Sequence, residues 1–270
     1  MLTLFRILSV VPLWLAHLCG AAMGWLAWLC SPTYRRRFGV NSAQAGYRFA
    51  EVRAAIGHAG RMVTELPRLW LKETPVNAVH GAEVVEQAWV KGKGILFLTP
   101  HLGCFELSVQ GAAHRWSAQH GPITILYRPA KQAWLAEMML TARNRGGIQA
   151  VPTTLAGVRQ MIKALRKGQA VGLLPDQVPP HGQGQWAPCF GKDAYTMTLA
   201  ARLALQTGAT VILVRCERLP AGRGYELFFE GLPTPLATQL DEAVVQINQA
   251  MEHTIRQCPT QYLWGYGRYK

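Results

Sequence analysis

Short apolar runs alternate with longer segments of helical spacing through the last two-thirds of this 270-residue chain. The apolar runs are GILFLT (94–99), ITILY (123–127), IQAVP (148–152), AVGLLP (170–175), ATVILVRCE (209–217) and YELFFEG (225–231). Helical spacing covers 104–118, 131–143, 154–167, 195–207 and 239–257. Strands that alternate with helices of this length predict an α/β domain whose mixed, partly parallel sheet is covered by helices.

The N-terminal segment has a different pattern. From Ile7 to Tyr34 there are 28 residues without Asp, Glu, Lys or Arg, and a bilayer span needs roughly 20 apolar residues. A cleaved signal peptide is the competing interpretation, but its apolar region is typically only about 7–15 residues long. Arg35, Arg36 and Arg37 follow the run and favour the cytoplasmic side for what comes after. We therefore expect a retained membrane anchor over 1–34 and the main domain over 35–270. Whether the anchor spans the bilayer or lies in its interface stays open.

The charge balance is strongly basic. Lys and Arg total 28 against 15 Asp and Glu, a formal charge of +13, which indicates anionic partners such as nucleic acid, anionic lipid or an acidic protein. Residues 31–73 carry eight Lys/Arg and three Glu, a net +5 beside the apolar run, which favours contact with anionic headgroups. Elsewhere the basic residues are spread along the chain and match no nucleic-acid module.

Motif absences exclude several classes of protein. The chain has no G-x-S-x-G nucleophile elbow, no Walker A loop, and no G-x-G-x-x-G that opens a helix after a strand. The six cysteines form no C-x-x-C pair and show no zinc spacing. Buried, reduced cysteines in a cytosolic protein without a metal site are the expected interpretation.

One stretch, TPHLGCFE (99–106), carries candidate chemistry. His101 follows Pro100 at the carboxyl end of a predicted strand, which is where α/β folds place their sites. Gly103 suits a turn, and Glu106 then falls in the first turn of the next helix. A loop histidine can fold back onto that glutamate, which would orient the ring and leave the other nitrogen as a general base. Without its neighbours, such a spacing is more often incidental.

Later blocks of sequence strengthen the functional interpretation. They are YRPAKQAW (127–134), TARNRGG (141–147), LLPDQVPPHGQGQWAPCFGK (173–192) and QYLWGYGRYK (261–270). Together with TPHLGCFE, these blocks resemble, in order, the late acyltransferases of lipid A biosynthesis in Gram-negative bacteria. That family belongs to the glycerolipid and lysophospholipid acyltransferase superfamily, whose first block is H-x4-D/E.

The resemblance implies transfer of an acyl chain from acyl carrier protein to a hydroxyl of a lipid A precursor, an anionic lipid. The reaction would take place at the cytoplasmic face of the inner membrane. In that family the histidine and acidic residue of the first block are the catalytic pair, which here means His101 and Glu106. A family arginine matches Arg143 and the aspartate of the Pro-Asp block matches Asp176. No cofactor and no metal are implied.

Further polar residues are candidates for substrate binding. Arg143 and Arg145 precede Gly146-Gly147, where their charges would either complement a helix C-terminus or bind an acceptor phosphate. Arg128, which follows a predicted strand, is a similar candidate. Asp176 and Gln177 follow another predicted strand, where turn formation and substrate binding are the alternatives.

The expected mechanism is direct transfer without a covalent intermediate. His101 would remove the acceptor's hydroxyl proton while Glu106 holds the ring, and backbone N–H groups near Gly103 would help to stabilise the oxyanion. Two alternatives remain. One is an acyltransferase for a lysophospholipid or another small lipid, which would use acyl-CoA or acyl carrier protein, and the other is a non-catalytic lipid-binding membrane protein.

Overall fold

The computed structural model describes residues 2–127 and 132–269. Its strands are β1 (Ala78–His80), β2 (Ile95–Leu98), β3 (Ile123–Tyr127), β4 (Ile148–Pro152), β5 (Ala170–Leu173), β6 (Gly184–Cys189), β7 (Lys192–Met197), β8 (Thr210–Arg218) and β9 (Tyr225–Gly231). Its helices are α1 (Leu2–Val10), α2 (Leu13–Cys30), α3 (Pro32–Gln44), α4 (Phe49–Val52), α5 (Ala54–Leu71), α6 (Ala82–Val90), α7 (Phe105–His120), α8 (Ala133–Arg143), α9 (Leu155–Arg166), α10 (Leu199–Thr207) and α11 (Leu240–Gln257). Short 3-10 turns occupy Pro220–Gly222 and Pro259–Gln261.

Seven of these strands form one sheet in the order β1-β9-β8-β2-β5-β3-β4. The pairs from β8 through β4 are parallel, β8 and β9 are antiparallel, and β1 lies parallel to β9. Strands β6 and β7 form a separate antiparallel hairpin. The predicted mixed, partly parallel sheet covered by helices is confirmed.

The central strand β2 shows why both faces of the sheet must be covered. Ile95 and Phe97 enter a core that includes residues of α5, α6, α7 and α8, whereas Leu96 and Leu98 enter a second core that includes residues of α9, α10 and α11. Successive side chains of a strand point to opposite faces, so the continuous run ILFL requires helices on both sides.

Some predictions from the pattern were wrong or incomplete. Residues 195–207 are not one helix, because β7 continues to Met197 and only Leu199–Thr207 is helical. No element was predicted for β1, α6, β6 or the first half of β7. The expectation that the cysteines are buried holds for Cys104, Cys189, Cys216 and Cys258 and is wrong for Cys19 and Cys30, which are exposed on α2.

The apolar N-terminal segment forms two helices, α1 and α2, that pack on α5. Within the described residues, α2 is the one helix long and apolar enough to cross a membrane, judged by length and composition. Helices α3 to α5 in turn share a third core with the C-terminal segment, in which Phe38, Ile56 and Trp264 are fully buried.

Candidate active site

The site lies where two neighbouring parallel strands, β2 and β5, end. Their register pairs Leu98 with Leu173, and the backbone N–H of Thr99 extends the ladder by donating to the carbonyl of Leu173 at 3.1 Å. His101 and Asp176 each stand three residues beyond the paired leucines. Parallel register therefore places the two side chains opposite one another at the carboxyl edge of the sheet, where α/β folds hold their ligands.

His101 and Asp176 form two hydrogen bonds with each other. Nδ1 of the His101 ring lies 2.7 Å from Oδ1 of Asp176, and the backbone N–H of His101 donates to Oδ2 at 2.9 Å. The Asp176 side chain is 6% exposed and the His101 side chain 18% exposed. The carboxylate thus holds both the ring and the backbone of the same histidine, and part of the imidazole still faces the surface.

The ionisation of Asp176 decides which ring nitrogen carries the proton. Burial alone would raise the pKa of the Asp176 carboxyl, but the charge of His101, its two hydrogen bonds and the charge of Arg268 together lower it. A carboxylate only accepts hydrogen bonds, so Nδ1 of His101 donates to it. In the neutral ring, Nε2 then carries the lone pair that a general base requires.

Gln177 contacts the other side of the ring. Its Nε2 lies 3.1 Å from Nε2 of His101, and since the amide nitrogen is a donor, it bonds the imidazole lone pair. A ligand that bonds to Nε2 of His101 must take the position of this amide.

The loop that carries His101 is pinned by backbone contacts. Gly103 has φ +57°, and a β-carbon there would lie 2.0 Å from the carbonyl oxygen of Cys216, so glycine is required. The N–H of Gly103 donates to the carbonyl of Gln261 at 3.0 Å, and that of Cys104 to the carbonyl of Cys216 at 2.8 Å. The expectation that N–H groups near Gly103 serve an oxyanion was therefore wrong for these two, since both are already bonded.

The C-terminal segment holds both loops of the site. The N–H of Leu263 donates to the carbonyl of His101 at 3.1 Å, and the N–H of Val178 donates to the hydroxyl of Tyr266 at 3.0 Å. Asn41 of α3 fixes the segment in turn, since its side-chain amide donates to the carbonyls of Trp264 and Tyr266. No sequence motif identifies this role, because each of these contacts has a backbone group as at least one partner.

Glu106 does not hold the histidine ring as predicted. It lies in the first turn of α7, as expected, but its carboxylate pairs with Arg143 at the end of α8. The physical reason is that Asp176 already occupies Nδ1 of His101, while the edge of the Phe105 ring packs against the imidazole with centroids 4.9 Å apart. The carboxylate that contacts the ring comes from the loop after β5 and not from the H-x4-E stretch.

The predicted arginines have different surroundings. Arg143 ends α8 as expected, and its Nε is buried without an acceptor among the described residues. Arg145 donates from Nη2 to the carbonyls of Leu69 and Lys72 at the end of α5. Arg128 lies outside the described residues.

The cysteine beside this site is not placed to act as a nucleophile. Cys104 is the thiol nearest to His101 in sequence, and it is 1% exposed. Burial, a hydrogen bond with Cys216 and the charge of Glu65 raise the pKa of its thiol, and a thiol held in this form is a poor nucleophile. In residues 2–127 and 132–269, no group of three His, Cys, Asp or Glu side chains is placed to hold a metal ion. An oriented imidazole whose neighbouring thiol is buried and protonated fits a reaction in which the substrate supplies the nucleophile.

Comparison with known proteins agrees with this chemistry. A family model described as bacterial lipid A biosynthesis acyltransferase matches residues 2–270. The chain belongs to this acyltransferase family. A lipid A biosynthesis lauroyltransferase of Escherichia coli is 29% identical over 196 residues, which cover 71% of this chain and 61% of the relative. A lipid A biosynthesis palmitoleoyltransferase of the same species is 27% identical over 201 residues, with the same coverage.

A third member of the acyltransferase family, the lipid A biosynthesis acyltransferase of Haemophilus influenzae, is 24% identical over 185 residues. That alignment covers 68% of this chain and 56% of the relative. The matched region thus spans about three-fifths or less of the length of these relatives. The match nevertheless confirms the family that the sequence blocks indicated.

Proposed function

We propose that this protein transfers a fatty acyl chain from acyl carrier protein to a hydroxyl of a lipid A precursor at the cytoplasmic face of the inner membrane. The observation that carries the proposal is the His101–Asp176 pair at the carboxyl ends of β2 and β5. Membership of the lipid A acyltransferase family supports this choice of reaction and acceptor, as do the names of two relatives, a lauroyltransferase and a palmitoleoyltransferase of lipid A biosynthesis.

In the proposed mechanism His101 is the general base. The acceptor hydroxyl displaces the Gln177 amide from Nε2 and gives its proton to that nitrogen, while the oxygen attacks the thioester carbonyl of the donor. Asp176 stabilises the imidazolium that forms, and the ring returns the proton to the departing thiolate. The acceptor oxygen forms the new bond to the acyl carbon, and the bond between that carbon and the donor sulfur breaks. No acyl-enzyme is formed.

Glu106 acts one step away from the base in this mechanism. Its carboxylate is 10% exposed and Arg143 is its partner, so it holds the guanidinium in a fixed place beside α7. Arg143 keeps a buried Nε donor without an acceptor among the described residues, and a guanidinium is suited to a phosphate or carboxylate. We assign Arg143 to the acceptor's anionic group and Glu106 to positioning it.

The function is tested by incubating purified protein with acyl carrier protein loaded with fatty acids of several lengths and with a lipid A precursor. We expect a mass increase of one acyl group on the precursor, measured by mass spectrometry, with no acylated protein at any time. Acyl-CoA with a lysophospholipid serves as the parallel reaction. Product from that pair alone would favour the alternative small-lipid acyltransferase. Lipid binding without any product would favour the non-catalytic interpretation.

The assignment of Arg143 predicts a selective loss. Arg143→Lys should raise the KM for a phosphorylated acceptor by about tenfold and change kcat less, because a point charge cannot replace the guanidinium fork. The effect should be smaller with a dephosphorylated acceptor. Steady-state kinetics with both acceptors measures this.

Arg115→Lys is the matched control, because Arg115 is an exposed partner of Glu86. It should leave the KM for both acceptors unchanged. Equal losses on the two acceptors in Arg143→Lys would mean that the residue only supports Glu106 and the fold.

A further inference from the structure

We propose that α1 and α2 lie in the plane of the membrane interface as one lipid-contacting surface, and that α2 does not cross the bilayer. This inference rests on the proposed function, because that function places the protein at a membrane. It is carried by how α2 is attached to the catalytic domain.

Helix α2 packs on α5 along its length with almost no space between the backbones. A β-carbon at Gly60 would lie 1.9 Å from the carbonyl oxygen of Gly20, and one at Gly24 would lie 2.2 Å from that of Ile56. Small residues of this kind let two helices approach closely. The two helices run antiparallel, since Gly24 meets Ile56 and Gly20 meets Gly60.

Polar side chains of α5 continue the attachment toward the start of α2. Thr64 donates its hydroxyl to the carbonyl of Ala16 at 2.8 Å, and Arg68 donates to the carbonyl of Val11 at 2.6 Å. Contacts to α5 thus extend from the residue before Pro12 to Gly24. A helix held in this way cannot rotate away from its partner without losing all of them.

A buried charge cluster joins α2 to the sheet itself. His17, 5% exposed, lies with Nε2 3.2 Å from Oε2 of Glu65, which is 1% exposed. Glu65 also accepts from Nε of Arg218, the last residue of β8, at 2.9 Å, and from the hydroxyl of Tyr225 at 3.1 Å. The first half of α2 is therefore tied to the central sheet through His17 and the buried Glu65–Arg218 ion pair.

This attachment is incompatible with a spanning orientation. The opposite side of α5 carries Leu69 and Trp70 into the core beneath the sheet. If α2 crossed the hydrocarbon, α5 would enter it as well, together with Arg61, Arg68 and the end of β8. Charged side chains and irregular backbone are strongly disfavoured there, so α2 can contact lipid only along the side that faces away from α5.

That outer side is apolar. Five large apolar side chains of α2 are at least half exposed: Trp14 (56%), Leu18 (61%), Met23 (50%), Leu26 (62%) and Leu29 (61%). Their spacing places them on one broad side of the helix. Leu4, Ile7 and Val10 are likewise exposed on α1, at 50%, 58% and 59%. An exposed apolar surface of this extent marks an interaction site.

The surrounding charge indicates that the occupant is an anionic lipid surface. Residues 1–50 contain five arginines and no Asp or Glu. Arg35 donates to the carbonyls of Trp28 and Leu29 at the end of α2, and Arg6 and Arg36 are exposed. An apolar helix face flanked by basic residues binds in the interface of an anionic bilayer, about 5–10 Å deep.

The experiment compares the two ends of the segment on preformed vesicles of phosphatidylethanolamine and phosphatidylglycerol. Cys19 and Cys30 are first replaced by Ser, and the other four cysteines are buried. Thr3→Cys and Thr33→Cys, both at exposed positions, are then reacted with a membrane-impermeant maleimide added outside. We expect both to react to the same extent, because both ends stay on the side of the catalytic domain. Lysis with detergent should change neither.

Nitroxide labels attached to single cysteines should all lie at one common depth in the bilayer. The variants are Trp14→Cys, Leu18→Cys, Leu26→Cys and Leu29→Cys. In a spanning helix of 18 residues, depth would instead vary along about 27 Å. Binding should fall at least tenfold on vesicles of phosphatidylcholine alone. A Thr3→Cys variant that is protected until lysis, or a depth that changes steadily along α2, would overturn the proposal, as would failure to bind the vesicles. Acyl transfer measured in the same samples separates that failure from failure of the proposed function.

Discussion

Replacing Asp176 by Asn should reduce acyl transfer about 10³–10⁴-fold, as much as His101→Ala, because both remove the general base. The two hydrogen bonds of Asp176 explain the size of the effect. The backbone N–H of His101 needs an acceptor, so the carboxamide oxygen of Asn must face it. The amide NH2 then faces Nδ1 of the ring, which must become the acceptor. The proton moves to Nε2, and the base is lost although the fold is unchanged.

The double variant makes this prediction sharper. If His101 and Asp176 act as one unit, His101→Ala combined with Asp176→Asn should be no slower than either single variant. Asp193→Asn is the control for the loss of one negative charge, since Asp193 is exposed on β7, and it should retain full activity. Turnover is measured with the acyl carrier substrate, and folding is checked by circular dichroism.

A Glu106 variant tests whether Asp176 or Glu106 orients the ring of His101. Glu106→Gln should lose roughly tenfold or less, because in this structure Glu106 pairs with Arg143 and not with the ring. A loss in Glu106→Gln as large as in His101→Ala, with near-normal activity in Asp176→Asn, would restore Glu106 as the orienting residue and refute the role given to Asp176.

The sequence placed His101 correctly at the end of β2 but gave its ring the wrong carboxylate partner. The run from β2 into Pro100-His101, the turn at Gly103 and the start of α7 all follow from local pattern, since strand ends and glycine turns are local properties. The partner of His101 is 75 residues away, and its identity depends on β5 being the neighbour of β2. Strand order arises from the packing of the whole domain and has no local signal.

A clue was nevertheless present in two short stretches. Leu98-Thr99-Pro100-His101 and Leu173-Leu174-Pro175-Asp176 have the same layout, in which an apolar strand ends in proline and then a polar residue. Two such endings on adjacent parallel strands bring their polar residues to the same height. The matching layouts would have suggested Asp176 as the partner if strand adjacency had been assumed.

The β6–β7 hairpin was missed for a different reason. Its strands, GQWAPC and KDAYTM, contain small and polar residues and a proline, so neither shows strand periodicity. The hairpin is stabilised from outside, because the side-chain amide of Asn248 on α11 donates to the carbonyl of Pro188 and to the hydroxyl of Thr196. Tertiary contacts of this kind override weak local preference.

Replacing Glu65 by Gln should destabilise the protein by about 3–5 kcal/mol, which is the usual cost of removing one partner of a buried ion pair. Glu65 and Arg218 have side chains that are each 1% exposed, and Tyr225 and His17 share the same carboxylate. Without the negative charge, the guanidinium of Arg218 stays buried with no ion partner among the described residues. Urea unfolding in detergent measures the loss.

The pH dependence of unfolding should change in the same variant. Burial alone would raise the pKa of Glu65, but the charge of Arg218 and hydrogen bonds from His17 and Arg218 lower it to about 2, from an ordinary value of 4.5. A carboxyl whose pKa is lower in the folded state contributes stability above its unfolded pKa and loses it as the pH falls. The native protein should therefore weaken between about pH 4.5 and pH 2 more steeply than Glu65→Gln.

The comparison with a paired replacement shows whether the charge or the packing matters. Glu65→Leu combined with Arg218→Met should be more stable than either single variant, since no unpaired charge remains buried. Glu51→Gln is the exposed control, because Glu51 pairs with Arg48 at the surface, and it should unfold like the native protein. If the paired replacement is no more stable than the single variants, the cluster stabilises the fold through shape rather than charge. The ion-pair account of how α2 is tied to the sheet would then be wrong.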